Sequence, residues 1–135
     1  LAAQITKLAV NNNSCVPGFT QMAGIEALTG PQDEAAKMVD QFKARRDFIV
    51  DGLNSIKGIS CVKPRGAFYA FPNVKKIGMP SSELANYLLN EAGVATLGGT
   101  AFGSYGEGYL RISYASSLEN IKKALEQIET AVNKL

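Results

Sequence analysis

The apolar residues of this chain keep helical spacing towards both ends and strand spacing in between, and that change of period restricts the fold more than any other feature. The last stretch is the clearest. Leu118, Ile121, Leu125, Ile128, Val132 and Leu135 fall on one face of a helix. Ser116 and Glu119 stand at capping-box spacing at its start. Just upstream, residues 109–114 alternate: Leu110, Ile112 and Tyr114 on one face, Arg111 and Ser113 on the other. A chain with both patterns must pack helices against a sheet.

The rest of the chain fits that plan. Leu1, Ile5 and Leu8 keep helical spacing, and Phe19, Met22, Ile25 and Leu28 keep it again after a polar break at 11–18. Pro31 suits the first position of a third helix, with Asp33 and Glu34 at its positive end. Met38, Phe42, Ile49, Leu53 and Ile56 form its apolar face, and Gly58 is its expected stop. Residues 59–62 and 67–71, joined by Pro64-Arg65-Gly66, read as a hairpin. Pro80 and Ser81 open a helix with Leu84, Leu88 and Ala92 inward, closed by Gly93, and 94–97 reads as a strand. The expected architecture is α+β, an α/β sandwich with a small sheet of about four strands covered by helices.

Composition narrows the function. The 135 residues carry a formal net charge of only +2, with the lysines scattered, so a nucleic-acid surface is not expected. No apolar run is long enough for a bilayer, and no export signal opens the chain, so no membrane partner is expected. There is no histidine, and Cys15 and Cys61 lack metal-type spacing, which argues against a metal site and removes His-based triads. Two distant cysteines read as reduced thiols in a cytoplasmic protein, with a disulfide between them left open. The first residue is not Met and already sits in helical spacing, so a fragment of a longer protein is expected.

Few residues are placed for chemistry. Arg111 lies in a strand after a loop, 98–108, that contains five glycines. It is either an exposed or ion-paired strand arginine, or a guanidinium fixed to grip a carboxylate with two parallel hydrogen bonds. The glycine-rich loop leads into a strand, not a helix, and lacks a Gly-Lys-Ser/Thr ending, so phosphate binding is not expected of it. Phe68 and Tyr69 should point to opposite faces of their strand. Core packing is the default for both, with one of them a candidate pocket wall. Residues 11–15 are a binding loop or an ordinary connector.

Several segments, in order, resemble the C-terminal half of class I/II aminotransferases of the aspartate aminotransferase type, which are fold type I pyridoxal-phosphate enzymes. They are Gln21 with Ile25-Glu26-Ala27-Leu28, Arg45-Arg46-Asp47, Pro64-Arg65-Gly66-Ala67-Phe68-Tyr69, Glu91-Ala92-Gly93-Val94, Phe102-Gly103, and the run from Gly106 to Ala115. The last block is the specific one. The resemblance implies that Arg111 binds the α-carboxylate of the substrate and that Phe68 or Tyr69 lies near the substrate entrance. It implies that residues 1–30 end the large domain and begin the interdomain helix, and that 31–135 form the small domain that closes on substrate. It places 11–15 near the interface of a homodimer. The family usually has Pro-Gly where this chain has Gly98-Gly99.

The resemblance also implies ping-pong amino transfer between an amino acid and a 2-keto acid, with pyridoxal phosphate as cofactor. The Schiff-base lysine, the aspartate facing the pyridine nitrogen and the phosphate-binding loop would lie upstream of this chain. No catalytic or cofactor-binding residue is therefore expected in it. Without the large domain it should neither hold the cofactor tightly nor turn over. The competing reading is a stand-alone, non-catalytic domain in which Arg111 grips an acidic metabolite.

Overall fold

The computed structural model describes all residues, Leu1–Leu135. The chain forms two compact units, Leu1–Ala36 and Lys37–Leu135. The first holds helices α1 (Ala2–Asn13) and α2 (Gly18–Thr29). Neither buries a residue. Between them Ser14 takes a left-handed φ of 58°, and Gln21 Nε2 donates to Val16 O at 2.8 Å, which fixes the start of α2.

Helix α3 (Asp33–Ser55) begins in the first unit and supplies the second with Ile49, Val50 and Leu53. Pro31 lies outside it: the helix starts at Asp33, and Gln32 Nε2 donates to Gly30 O at 2.9 Å in the preceding turn. The buried face occupies only the C-terminal half of α3. Met38, expected on that face, is exposed. Gly58, with φ 90°, turns the chain after the helix as expected.

The sheet has three strands, β1 (Tyr69–Ala70), β2 (Leu97–Gly98) and β3 (Leu110–Ser113), in the order β1-β3-β2. Both pairings are antiparallel, with Tyr69 opposite Ser113 and Leu97 opposite Arg111. The fourth strand, expected at 59–62, shrinks to one bridge between Ser60 and Asn73. Its backbone is satisfied another way: Asn54 of α3 donates to Cys61 O at 3.0 Å and accepts from Cys61 N at 2.8 Å. A side chain that replaces the ladder removes the need for a strand.

Helix α4 (Ser81–Ala92) buries Leu84, Leu88 and Ala92 and ends at Gly93, whose φ of 66° lets the chain turn back. Helix α5 (Leu118–Val132) buries Ile121, Ile128, Ala131 and Val132. Its cap is one residue later than the spacing predicted. Ser117, not Ser116, accepts from Asn120 N at 3.2 Å, and Ser116 Oγ takes the Asn120 side chain instead.

One core results. Ala70, Leu110, Ile112 and Tyr114 face it from the sheet side, α3, α4 and α5 supply most of the rest, and Ile56, Ile59, Cys61, Val74 and Val94 enter it from connecting segments. The architecture is α+β, with the alternation of β3 as expected and the other face of the sheet left open. No helix is long and apolar enough to cross a membrane.

Candidate functional site

The open face of the sheet collects residues that alternation puts opposite the core. Arg111 is half-buried and Ser113 exposed. Tyr69, opposite Ser113, is the diagonal neighbour of Arg111 on that face. The Arg111 guanidinium carbon lies 4.3 Å from the Tyr69 ring centre and 4.4 Å from that of Phe102. Each such contact contributes about 0.5–2 kcal/mol, and two of them restrict a long side chain to one direction. No Asp or Glu of the chain pairs with Arg111. The ion-paired alternative is therefore not the one found.

Aromatic packing continues from this point. Phe102 meets Phe71 edge-on with centroids 6.4 Å apart, and Phe71 stacks on Tyr109 at 5.3 Å. Lys75 Nζ lies over the Tyr109 ring, 5.3 Å from its centre. The result is a wall of rings with the Arg111 guanidinium held among them.

Phe68 and Tyr69 do not point to opposite faces. Their rings are 4.5 Å apart, and Phe68 also meets Phe42 of α3 at 6.2 Å. Strand geometry begins only at Tyr69, because Ala67 adopts φ 59° and makes Phe68 part of the turn. Buried Tyr114 supports that turn: its hydroxyl donates to Ala67 O at 2.9 Å and its N–H to Phe68 O at 3.0 Å. Neither Phe68 nor Tyr69 belongs to the core, so the packing default fails for both. Tyr69 is brought to Arg111, and Phe68 sits beside Tyr69.

The loop 98–108 folds over the start of β3. Two short 3-10 turns, Gly99–Phe102 and Ser104–Gly106, carry Phe102 onto Arg111. Gly99 N donates to Tyr109 O at 2.8 Å, and Tyr109 N to Gly106 O at 3.1 Å. Gly99 and Gly106 are pressed together so closely that a Cβ on either would overlap the other's carbonyl. At the end of the loop Glu107 Oε1 accepts from Ser81 N at 2.9 Å and from Ser81 Oγ at 3.2 Å. Ser81 Oγ in turn accepts from Gly108 N at 2.7 Å and Tyr109 N at 3.2 Å. The Ser81 N–H, helped by the Ser81 hydroxyl and Gly108 N–H, holds the Glu107 carboxyl below its ordinary value of 4.5, against a smaller opposing effect of burial.

Phe102 and the Ser81–Glu107 pair were not found from sequence. Their separation from their partners follows no helical or strand period. The hints were the density of glycines in the loop and the place of Phe102-Gly103 and Glu107 in the family resemblance. The remaining candidates lie apart. Cys15 is exposed and Cys61 buried, and burial raises the Cys61 thiol above its ordinary value. In 11–15 the side chains serve local contacts, such as Asn11 Nδ2 to Lys7 O at 2.7 Å.

The family model for aminotransferase class I and II matches residues 1–128. A Bacillus subtilis protein named "Probable N-acetyl-LL-diaminopimelate aminotransferase" is 42% identical over 99% of this chain and 34% of its own length. The aspartate aminotransferase of Pyrococcus horikoshii is 42% identical over 96% of this chain and 34% of its own length. Among solved structures, the aspartate aminotransferase of Rhizobium meliloti superimposes with a TM-score of 0.87 at 36% identity, covering 95% of this chain and 34% of that one. The chain thus spans about a third of the length of the relatives it matches. A family model that covers nearly all of it, and a fold shared with solved members, place this chain in the class I and II aminotransferase family.

Proposed function

We propose that this chain is the C-terminal part of a pyridoxal-phosphate-dependent aminotransferase, and that Arg111 holds the α-carboxylate of its substrate. The observation that carries the reading is the state of the Arg111 side chain. It is fixed between Tyr69 and Phe102, on the open face of the sheet, with no carboxylate of its own chain to satisfy it. A guanidinium held that way presents its donors to a planar anion in a set direction. Non-reactive rings as holders leave its charge intact.

The relatives favour the α-carboxylate over other anions. Their names specify different amino groups and side chains: aspartate, aromatic amino acids, an N-acetylated diaminopimelate. What these substrates share is the α-amino carboxylate. The substrate class is therefore an amino acid and a 2-keto acid. Phe68, exposed beside Tyr69, lies at the edge where the rest of the substrate would pass.

Family members use pyridoxal phosphate. The cofactor supplies an electron sink for amino transfer and needs a lysine held in a low-polarity site. In this reading that site lies outside this chain. The cofactor belongs to a large domain of the intact protein, residues 1–30 are the end of that domain, and 31–135 are the small domain. The intact protein works as a homodimer, with 11–15 near the partner. Arg111 contributes orientation: a fixed carboxylate aligns the Cα–H bond for proton removal.

The test is Arg111→Ala and Arg111→Lys in the intact enzyme. A charge-assisted bidentate contact contributes about 3 kcal/mol, so the alanine variant should lose roughly a hundredfold in kcat/KM. Lysine should restore little, because it cannot reproduce the paired geometry. Near-normal turnover by the alanine variant would remove Arg111 from the site.

A further inference from the structure

We propose that Ser81 and Glu107 form a clasp that positions Arg111, and that both are positioning residues for carboxylate binding. The proposal rests on the reading of Arg111 given above. Four hydrogen bonds join the first residue of α4 to the last turn of the glycine-rich loop: Ser81 N and Oγ to Glu107 Oε1, and Gly108 N and Tyr109 N to Ser81 Oγ. Ser81 is fully buried, with 0% of its surface exposed. Its hydroxyl uses its proton on Glu107 and its lone pairs on the two N–H groups, so it is saturated.

The clasp ends two residues before Arg111. It also controls Phe102, because Tyr109, held by Ser81, is the residue whose N–H and C=O tie back Gly106 and Gly99. One route therefore runs from α4 through Ser81 to Tyr109 and Arg111, and a branch runs through the folded loop to the ring that covers the guanidinium. A loop this rich in glycine has little conformational preference of its own and needs an external anchor. Tyr69 is held by the sheet and would remain without the clasp, whereas Phe102 would not.

An ordinary helix cap would not look like this. Helix caps are usually local, from the residue just before the helix. Here that residue is Pro80, which offers no side-chain acceptor, and the acceptor comes from Glu107 across the fold. Moving the cap to the loop couples the loop to α4, a rigid element that buries five of its residues.

The experiment compares Glu107→Ala, Glu107→Gln, Ser81→Ala and the double alanine variant in the intact enzyme, with Arg111→Ala as reference. KM and kcat for the amino acid are measured, together with the dissociation constant of propionate, a non-reactive carboxylate, by calorimetry. Glu107→Ala should raise KM and the propionate constant about tenfold while kcat falls by less than about threefold, a loss of binding geometry more than of chemistry. Glu107→Gln should stay within about threefold of the parent, because its amide oxygen still accepts from Ser81 N. Ser81→Ala should follow Glu107→Ala, and the double variant should be no worse than the stronger single one, since both act through one clasp.

A purely structural pair would lower the melting temperature and the yield of folded protein without moving KM or the propionate constant, and that result overturns the clasp. If Glu107→Ala does not fold, Glu107→Asp carries the same comparison, because a shorter side chain withdraws the carboxylate from Ser81. Unchanged propionate binding in Arg111→Ala would overturn the assignment of Arg111 itself. A large effect there with none at Glu107 or Ser81 would overturn the clasp alone.

Discussion

A guanidinium among rings and a pair of glycines without room for a Cβ are the two residue-scale facts on which the site depends. The rings hold Arg111 at 4.3 and 4.4 Å. The glycines, Gly99 and Gly106, let the loop double back to deliver one of those rings. Gly99→Ala should therefore be costly although it adds only a methyl group. The new atom would meet the carbonyls of Gly106 and Tyr109, which are backbone and cannot swing aside. Overpacking of this kind costs about 1–3 kcal/mol, read as a lower denaturant midpoint with an unchanged slope. A midpoint equal to that of the parent would show that the loop is not pressed together in solution. At this scale the sequence showed Arg111 and its face of the strand, because alternation is a local property. It could not show Phe102, which reaches Arg111 through the folding of the loop, nor that Phe68 and Tyr69 lie side by side. That last point turned on the φ of Ala67, and alanine carries no sign of a left-handed turn.

Elements are tied to one another mostly by side chains that cross between them. Glu107 caps α4 from a distant loop, and Asp47, inside α3, ties that helix to a later segment. Asp47 Oδ1 meets Arg46 Nε at 2.9 Å and Lys63 Nζ at 2.9 Å, which joins α3 to the segment that follows Cys61. The hydrogen bond from Arg46, then that from Lys63, holds the Asp47 carboxyl below its ordinary value of 3.8. A depressed folded-state value means that the contribution is present above the unfolded value and is lost as pH falls through the folded one. Asp47→Asn should therefore be less stable than the parent near neutrality. The difference should close as pH drops below 3.8 in parallel urea titrations. A constant difference at all pH values would mean that the ionised carboxylate contributes nothing. The helices themselves were legible, α5 above all, since its stripe and its burial agree. The strands were legible in part: β1 lies within the expected 67–71, and β2 meets the expected 94–97 only at Leu97. β3 was found, but the expected strand at 59–62 was replaced by the Asn54 side chain, a substitution no period reveals.

At the scale of the whole molecule, the core lies entirely within Lys37–Leu135, and Leu1–Ala36 adds no buried residue. Leu1, Leu8, Phe19 and Leu28 are between 71% and 99% exposed, which is more apolar surface than a self-sufficient unit normally shows. A chain cut to residues 37–135 should keep the thermal midpoint of the 135-residue chain, and it should lose the concentration-dependent association expected of the longer one in sedimentation velocity. A large fall in midpoint would show that the first unit supports the core. The α+β class was legible from the change of period alone, while the break after Ala36 was not, because α3 runs through it without a change of pattern.

The sheet's middle strand also sets how the molecule responds to injury. β3 lies between strands of two residues each, with Leu110 and Ile112 turned to the core and Arg111 between them turned outward. No insulating layer separates the interior from the open face that carries Arg111; they are alternate positions of one short run of backbone. Damage to the core at Leu110 or Ile112 is transmitted to the guanidinium across the width of a single strand, so a defect in folding and a displaced Arg111 arrive together.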